Sequence, residues 1–88
     1  MKFTNHIRER MLEYNISEQE VLEAIKEPDS LYLDVLTGRF VAVKKTGSKA
    51  IVAVFEKNDE TTLITVFPTS KINKVVESRI RSGRWIEI

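Results

Sequence analysis

The stretch that most constrains this chain is Ile51-Val52-Ala53-Val54-Phe55, apolar on both phases of a two-residue alternation. A strand of that kind is buried on both faces and belongs in the centre of a sheet, with its neighbours carrying the charges. Turn residues flank it at Thr46-Gly47-Ser48 and Asn58-Asp59-Glu60. Such short connections make Arg39 to Lys45 and Thr61 to Phe67 its antiparallel hairpin partners. Their β-branched and aromatic residues fit that role. Leu31-Tyr32-Leu33-Asp34 adds a short edge strand, so an antiparallel sheet of three or four strands is expected.

Helical signals bracket the sheet. Ile7, Met11 and Tyr14 recur at the spacing of one apolar stripe, predicting a helix from about Thr4 to Glu13 that Asn15 closes in a left-handed cap. Ser17-Glu18-Gln19-Glu20 is a capping box, in which the Ser17 hydroxyl and the Glu20 carboxylate each satisfy the other's free backbone N–H. The helix it opens is expected to bury Val21, Leu22 and Ile25, and Pro28 stops it. Pro68 closes the last core strand. Thr69 or Ser70 then caps a basic helix from about Lys71 to Ser82, with Gly83 at its C-terminal end. The apolar tail Arg84-Trp85-Ile86-Glu87-Ile88 is expected to dock on the sheet or on a partner. The reading is one α+β domain over residues 1–88: two N-terminal helices, the antiparallel sheet and a basic C-terminal helix.

Charge is unevenly placed. The chain's net charge is +1, yet Glu13 to Asp34 carries −6, while Arg39 to Lys49 and Lys71 to Arg84 carry +4 each. A basic face suits phosphate and an acidic face lies elsewhere, although charge runs also occur simply as solvated faces. There is no cysteine and a single histidine, so thiolate and histidine-cluster metal sites are excluded and no cofactor is expected. No Gly-rich phosphate loop and no nucleophilic triad stands out. The first residues lack the apolar run of a signal peptide, and no segment approaches membrane-spanning length, so the cytoplasm is the expected location.

The chemistry-bearing inventory is therefore basic. RNA cleavage through the 2′-hydroxyl needs a proton acceptor, cations on the developing phosphorane and a proton donor for the 5′-oxygen. His6, Arg39, Lys44 and Arg79 are candidates for that step, since His exchanges protons near neutrality and Arg forks onto phosphate. Arg10, Lys45, Lys71, Lys74, Arg81 and Arg84 are candidates for holding RNA. Each has a structural alternative. His6 can serve as a hydrogen-bonding residue at a helix start, and Arg10 can pair with Glu13 or Glu9. Lys44 and Lys45 can guard a strand end. Arg79 can pack its stem while its head pairs with Glu56 or the C-terminus. Trp85 can plug the core or stack on a base.

The order of these pieces resembles a known layout. His6-x-x-x-Arg10-Met11, followed by Asn15-Ile16-Ser17 and an acidic helix, resembles an uncharacterised prokaryotic small-domain family that reads His-Ala-x-x-Arg-Met and then Gly-Ile-Ser. With Arg39-Phe40-Val41, Ile51 to Phe55, Leu63 to Phe67 and the basic helix after Ser70, the chain is similar to BrnT and other RelE-like ribonuclease toxins. The resemblance implies helices packed on an antiparallel sheet whose open face binds RNA, and a metal-independent endoribonuclease acting on mRNA, including ribosome-bound mRNA. It also implies a cognate antitoxin as partner. His6, Arg10, Arg39, Lys71 and Arg79 are the positions that match. Ile7 replaces the usual small residue, Asn15 the usual glycine, and the C-terminus lacks the tyrosine or histidine common in RelE relatives. The alternative is a non-catalytic protein- or nucleic-acid-binding module, homodimeric or joined to a partner through its sheet edge and Trp85 tail.

Overall fold

Local signals set both N-terminal helices. The Thr4 hydroxyl accepts the Ile7 N–H at 3.2 Å and opens α1 (Asn5–Tyr14). Asn15, at φ 56°, ψ 43°, ends it, and the Ile16 N–H returns to the Met11 carbonyl at 2.8 Å. Ser17 and Glu20 exchange the two capping-box bonds, at 3.0 and 3.1 Å, and start α2 (Glu18–Lys26), which ends before Pro28. Val21 and Ala24 are fully buried, whereas Leu22, expected inside, is exposed. The helix meets the sheet along Val21, Ala24 and Ile25, and Leu22 falls just off that stripe.

The computed structural model describes residues 1–88. After α2 come β1 (Ser30–Asp34), β2 (Arg39–Thr46), β3 (Lys49–Lys57), β4 (Thr61–Thr69), α3 (Ile72–Arg81) and β5 (Trp85–Glu87). All five strands form one antiparallel sheet in the order β4-β3-β2-β1-β5. The α+β class holds, with a fifth strand supplied by the apolar tail. That tail pairs with β1, so β1 is interior and not an edge, and β2 takes the geometric centre with the doubly apolar β3 beside it.

Pro68 does not close β4, which continues to Thr69. β4 is an edge strand, where a missing N–H is tolerated. The register of β4 shifts by one residue opposite Val54/Phe55, leaving Ile64 unpaired as a bulge. The bulge lets Leu63 and Val66, three apart, point into the same core. Nor do Thr69 and Ser70 cap α3. The Thr69 hydroxyl accepts the Lys71 N–H, and Lys71 stands at the cap position with no side-chain bond. Gly83, at φ +76°, turns the chain out of α3 with its N–H on the Ile80 carbonyl.

Two cores result, one on each sheet face. Ile7 and Met11 of α1, Val21 and Ala24 of α2, and Ile51, Ala53, Leu63 and Val66 of the sheet pack together with Ile16. On the other face Tyr32, Val41, Val43, Ala50, Val52 and Trp85 form the second cluster, covered by Ile72, Val75 and Val76 of α3. No helix is long and apolar enough to cross a membrane.

Candidate functional site

On the α3 face, register places five side chains in one row across the sheet. Trp85 is opposite Asp34, Asp34 opposite Arg39, and Glu56 opposite Thr62. The Phe40–Phe55 pairing of β2 with β3 brings Arg39 beside Glu56. Directly opposed residues share a face and strands lie about 4.8 Å apart, so the row spans roughly 19 Å. Tyr32 and Trp85 in the α3-side cluster identify the face.

Charges alternate along this row. Asp34 is the one buried charged residue. Its Oδ1 accepts the Arg84 Nε–H at 2.8 Å and the backbone N–H groups of Leu36 and Thr37 at 3.0 and 3.3 Å. The Arg84 hydrogen bond is the main cause holding the Asp34 carboxyl below the usual carboxylate range; desolvation opposes it, and the two backbone donors assist. Next in the row, Arg39 Nε donates to Glu56 Oε2 at 3.3 Å, with both side chains partly exposed. Glu56 Oε1 accepts no protein hydrogen bond, and Arg39 keeps its two terminal NH2 groups free of protein acceptors. At the β5 end, the Arg79 guanidinium lies 5.9 Å from the centroid of the Trp85 ring and makes no salt bridge. Trp85 is itself buried, stacked on Tyr32 with centroids 5.5 Å apart. It is a core plug carrying a cation, not a platform open to bases.

The ten residues singled out from the sequence do not converge. Arg39 lies in the row, Arg84 is committed to Asp34 within it, and Arg79 sits over its β5 end at Trp85. His6 is exposed on α1, and Arg10 beside it pairs with Glu13 at 3.3 Å. Lys44 is opposite Ile51, which belongs to the α1/α2 core, and its Nζ donates to the Glu27 carbonyl at 2.9 Å. The catalytic grouping of His6, Lys44, Arg39 and Arg79 is therefore divided, with the first two across the sheet from the last two. The alternation of β2 is the reason, since Arg39 and Lys44 are an odd number of residues apart. Lys45 shares the α3 face at its far end. Lys71 at the cap of α3, and Lys74 and Arg81 on the helix, are exposed, and Arg81 pairs with Glu77. Arg79 pairs with neither Glu56 nor the C-terminus. Sequence reading missed Asp34 and Thr62, and named Glu56 only as a partner for Arg79. Hairpin register would have placed Glu56 beside Arg39, because the turn at Gly47-Ser48 fixes it. No three His, Cys, Asp or Glu side chains are grouped to hold a metal ion.

No curated protein and no solved structure matches the chain. Residues 3–68, from the start of the chain through nearly all of β4, match the family described as a domain of unknown function, DUF4258. The matched part includes Asp34, Arg39 and Glu56, while Arg79, Arg84 and Trp85 follow it. The match covers well over half of the sequence, and the chain belongs to the DUF4258 family.

Proposed function

We propose that the α3 face of the sheet binds the phosphodiester backbone of RNA and cleaves it without a metal ion, as a toxin-like endoribonuclease. The observation that carries this reading is the Arg39–Glu56 pair on the same sheet face as Arg79, the guanidinium that makes no salt bridge. Arg39 has terminal NH2 groups to spare for phosphate, and Arg79 lacks a carboxylate to neutralise it. Because His6 and Lys44 lie across the sheet, proton transfer falls to Glu56. Its unbonded Oε1 takes the proton from a ribose 2′-hydroxyl; the 2′-oxygen then attacks the adjacent phosphorus. The phosphorus–5′-oxygen bond breaks, leaving a 2′,3′-cyclic phosphate and a 5′-hydroxyl that takes its proton from water. With no second proton donor in the row, turnover is expected to be slow. Lys45, Lys71 and Lys74 extend the positive surface along which the strand lies. A cytoplasmic setting and a cognate antitoxin belong to the same reading.

The test is the full chain incubated with end-labelled single-stranded RNA in the presence of a chelator, beside Arg79→Ala. Cleavage ending in cyclic phosphate, reduced about tenfold or more by the variant, supports the reading. RNA left intact at micromolar protein rules out the enzyme and leaves the binding module, a reading favoured independently by the open sheet edge described next.

A further inference from the structure

The two edges of the sheet are finished differently. Outside β4 lies the N-terminal segment: Lys2 bridges Thr62, with its N–H on the Thr61 carbonyl at 3.0 Å and its carbonyl accepting the Leu63 N–H at 3.3 Å. β4 also carries Pro68 and the Ile64 bulge. All three are devices that stop an edge from pairing. β5 has none of them. No strand covers it, and it contains neither proline nor bulge. Of the nine exposed large hydrophobic residues, five (Val35, Leu36, Ile80, Ile86 and Ile88) lie at this end of the molecule.

The ladder parity shows what the open edge offers. The Val35 N–H bonds the Arg84 carbonyl and the Ile88 N–H bonds the Leu31 carbonyl, each at 3.0 Å. In an antiparallel ladder these bonds turn the peptide groups of residues 84, 86 and 88 toward β1. The N–H and C=O of Trp85 and Glu87 therefore point outward. A second β5, antiparallel about a two-fold axis through Ile86, satisfies all four groups: Trp85 of each copy exchanges both bonds with Glu87 of the other. Centring on Glu87 would set like charges face to face, which disfavours it.

Side chains agree with the same register. Glu87 is exposed and makes no ion pair in its own chain. Opposed to Trp85 of the other copy, it comes onto the α3 face beside Arg79, the cation over that ring. Arg79 has five N–H donors, enough for this carboxylate and a phosphate together. On the opposite face Ile86 meets its own copy, with Leu33 of each chain flanking the pair.

We infer that this chain forms a two-fold homodimer by antiparallel pairing of its β5 strands, centred on Ile86 and locked by Glu87 of each copy against Arg79 of the other. The inference stands whether or not the domain cuts RNA. The interface is small, so a dissociation constant between roughly 10 μM and 1 mM is expected. Sedimentation velocity of the full chain up to millimolar concentration tests it, alongside Ile86→Lys, Glu87→Arg, Arg79→Glu and the Arg79→Glu/Glu87→Arg double variant. The expected result is concentration-dependent dimer for the wild type and at least about tenfold weaker association for each single variant. The double variant should regain dimer, which loss of folding could not produce. A wild type that stays monomeric throughout overturns the inference. So does a dimer indifferent to Ile86→Lys and Glu87→Arg, both substitutions of exposed side chains.

Discussion

The two faces of the sheet are covered to different depths. On one, α1 and α2 each bury two side chains completely against Ile51, Ala53, Leu63 and Val66. On the other, α3 buries none of its residues fully, and Ile72, Val75 and Val76 only half-cover the cluster around Val52 and Trp85. β3 is apolar toward both, so the difference arises in the helices. Val21 and Ala24 allow α2 to lie close on the strands, while α3 alternates its few apolar residues with Lys74, Glu77, Arg79 and Arg81. The thick face supplies stability. The thin face leaves Thr65 exposed and the charged row reachable, which is where a ligand can approach without displacing a core.

The contrast breaks most directly under truncation. Leu63→Ala removes a side chain that is 1% exposed and should cost about 3 kcal/mol in urea unfolding. Val76→Ala on the thin face should cost about 1 kcal/mol, because its side chain is only partly buried. Equal losses at the two sites would mean that α3 seats as firmly as α1 and α2.

The Asp34–Arg84 pair is the one place where the thin face is held by a buried charge. Arg84→Ala leaves the Asp34 carboxylate buried without its main partner and should cost about 2 kcal/mol at pH 7, reduced from a fully buried case because Arg84 is one-third exposed. The pH dependence has a defined sign. The folded pKa of Asp34 lies below its unfolded value, so its stabilisation is complete from about pH 5 upward and disappears as pH falls through the folded pKa. Asp34→Asn should therefore flatten the acid limb of a stability–pH curve while lowering the neutral plateau. An acid limb unchanged in this variant would assign that limb to other carboxylates.

Much of the thick face was legible in the sequence, because its signals are local. The Ser17–Glu20 box, the Asn15 turn and the unbroken apolar run of β3 each depend on residues a few positions apart. The exception, Leu22, shows that a helix stripe is set by the angle at which the helix meets the sheet. The candidate site was less legible because it is made by register and strand order. Arg39 and Lys44 read as one basic strand, and only their alternation separates them onto opposite faces. Asp34 read as a strand end, and the return of Arg84 to it depends on the tail adding beyond β1. The row therefore draws on β1, β2, β3, β4 and β5 at once, and no short window of sequence contains it.

The smallest stability effect is expected at Arg79, the guanidinium left without a carboxylate partner. Arg79 is exposed, makes no ion pair, and contributes a cation above the Trp85 ring at 5.9 Å. Cation–π contacts at exposed sites are worth about 0.5–1 kcal/mol, so Arg79→Ala should lower stability by no more than that. Arg79→Lys keeps a charge over the ring and should be nearer to neutral. If Arg79 holds a phosphate, the two variants separate in RNA binding measured by fluorescence anisotropy against salt. Arg79→Ala should weaken binding and reduce the salt slope by about one, whereas Arg79→Lys should keep the slope and lose only the forked geometry. A large stability loss in Arg79→Ala with an unchanged salt slope would assign Arg79 to the packing of α3. The thin face would then be held together by the same residues that were expected to leave it open.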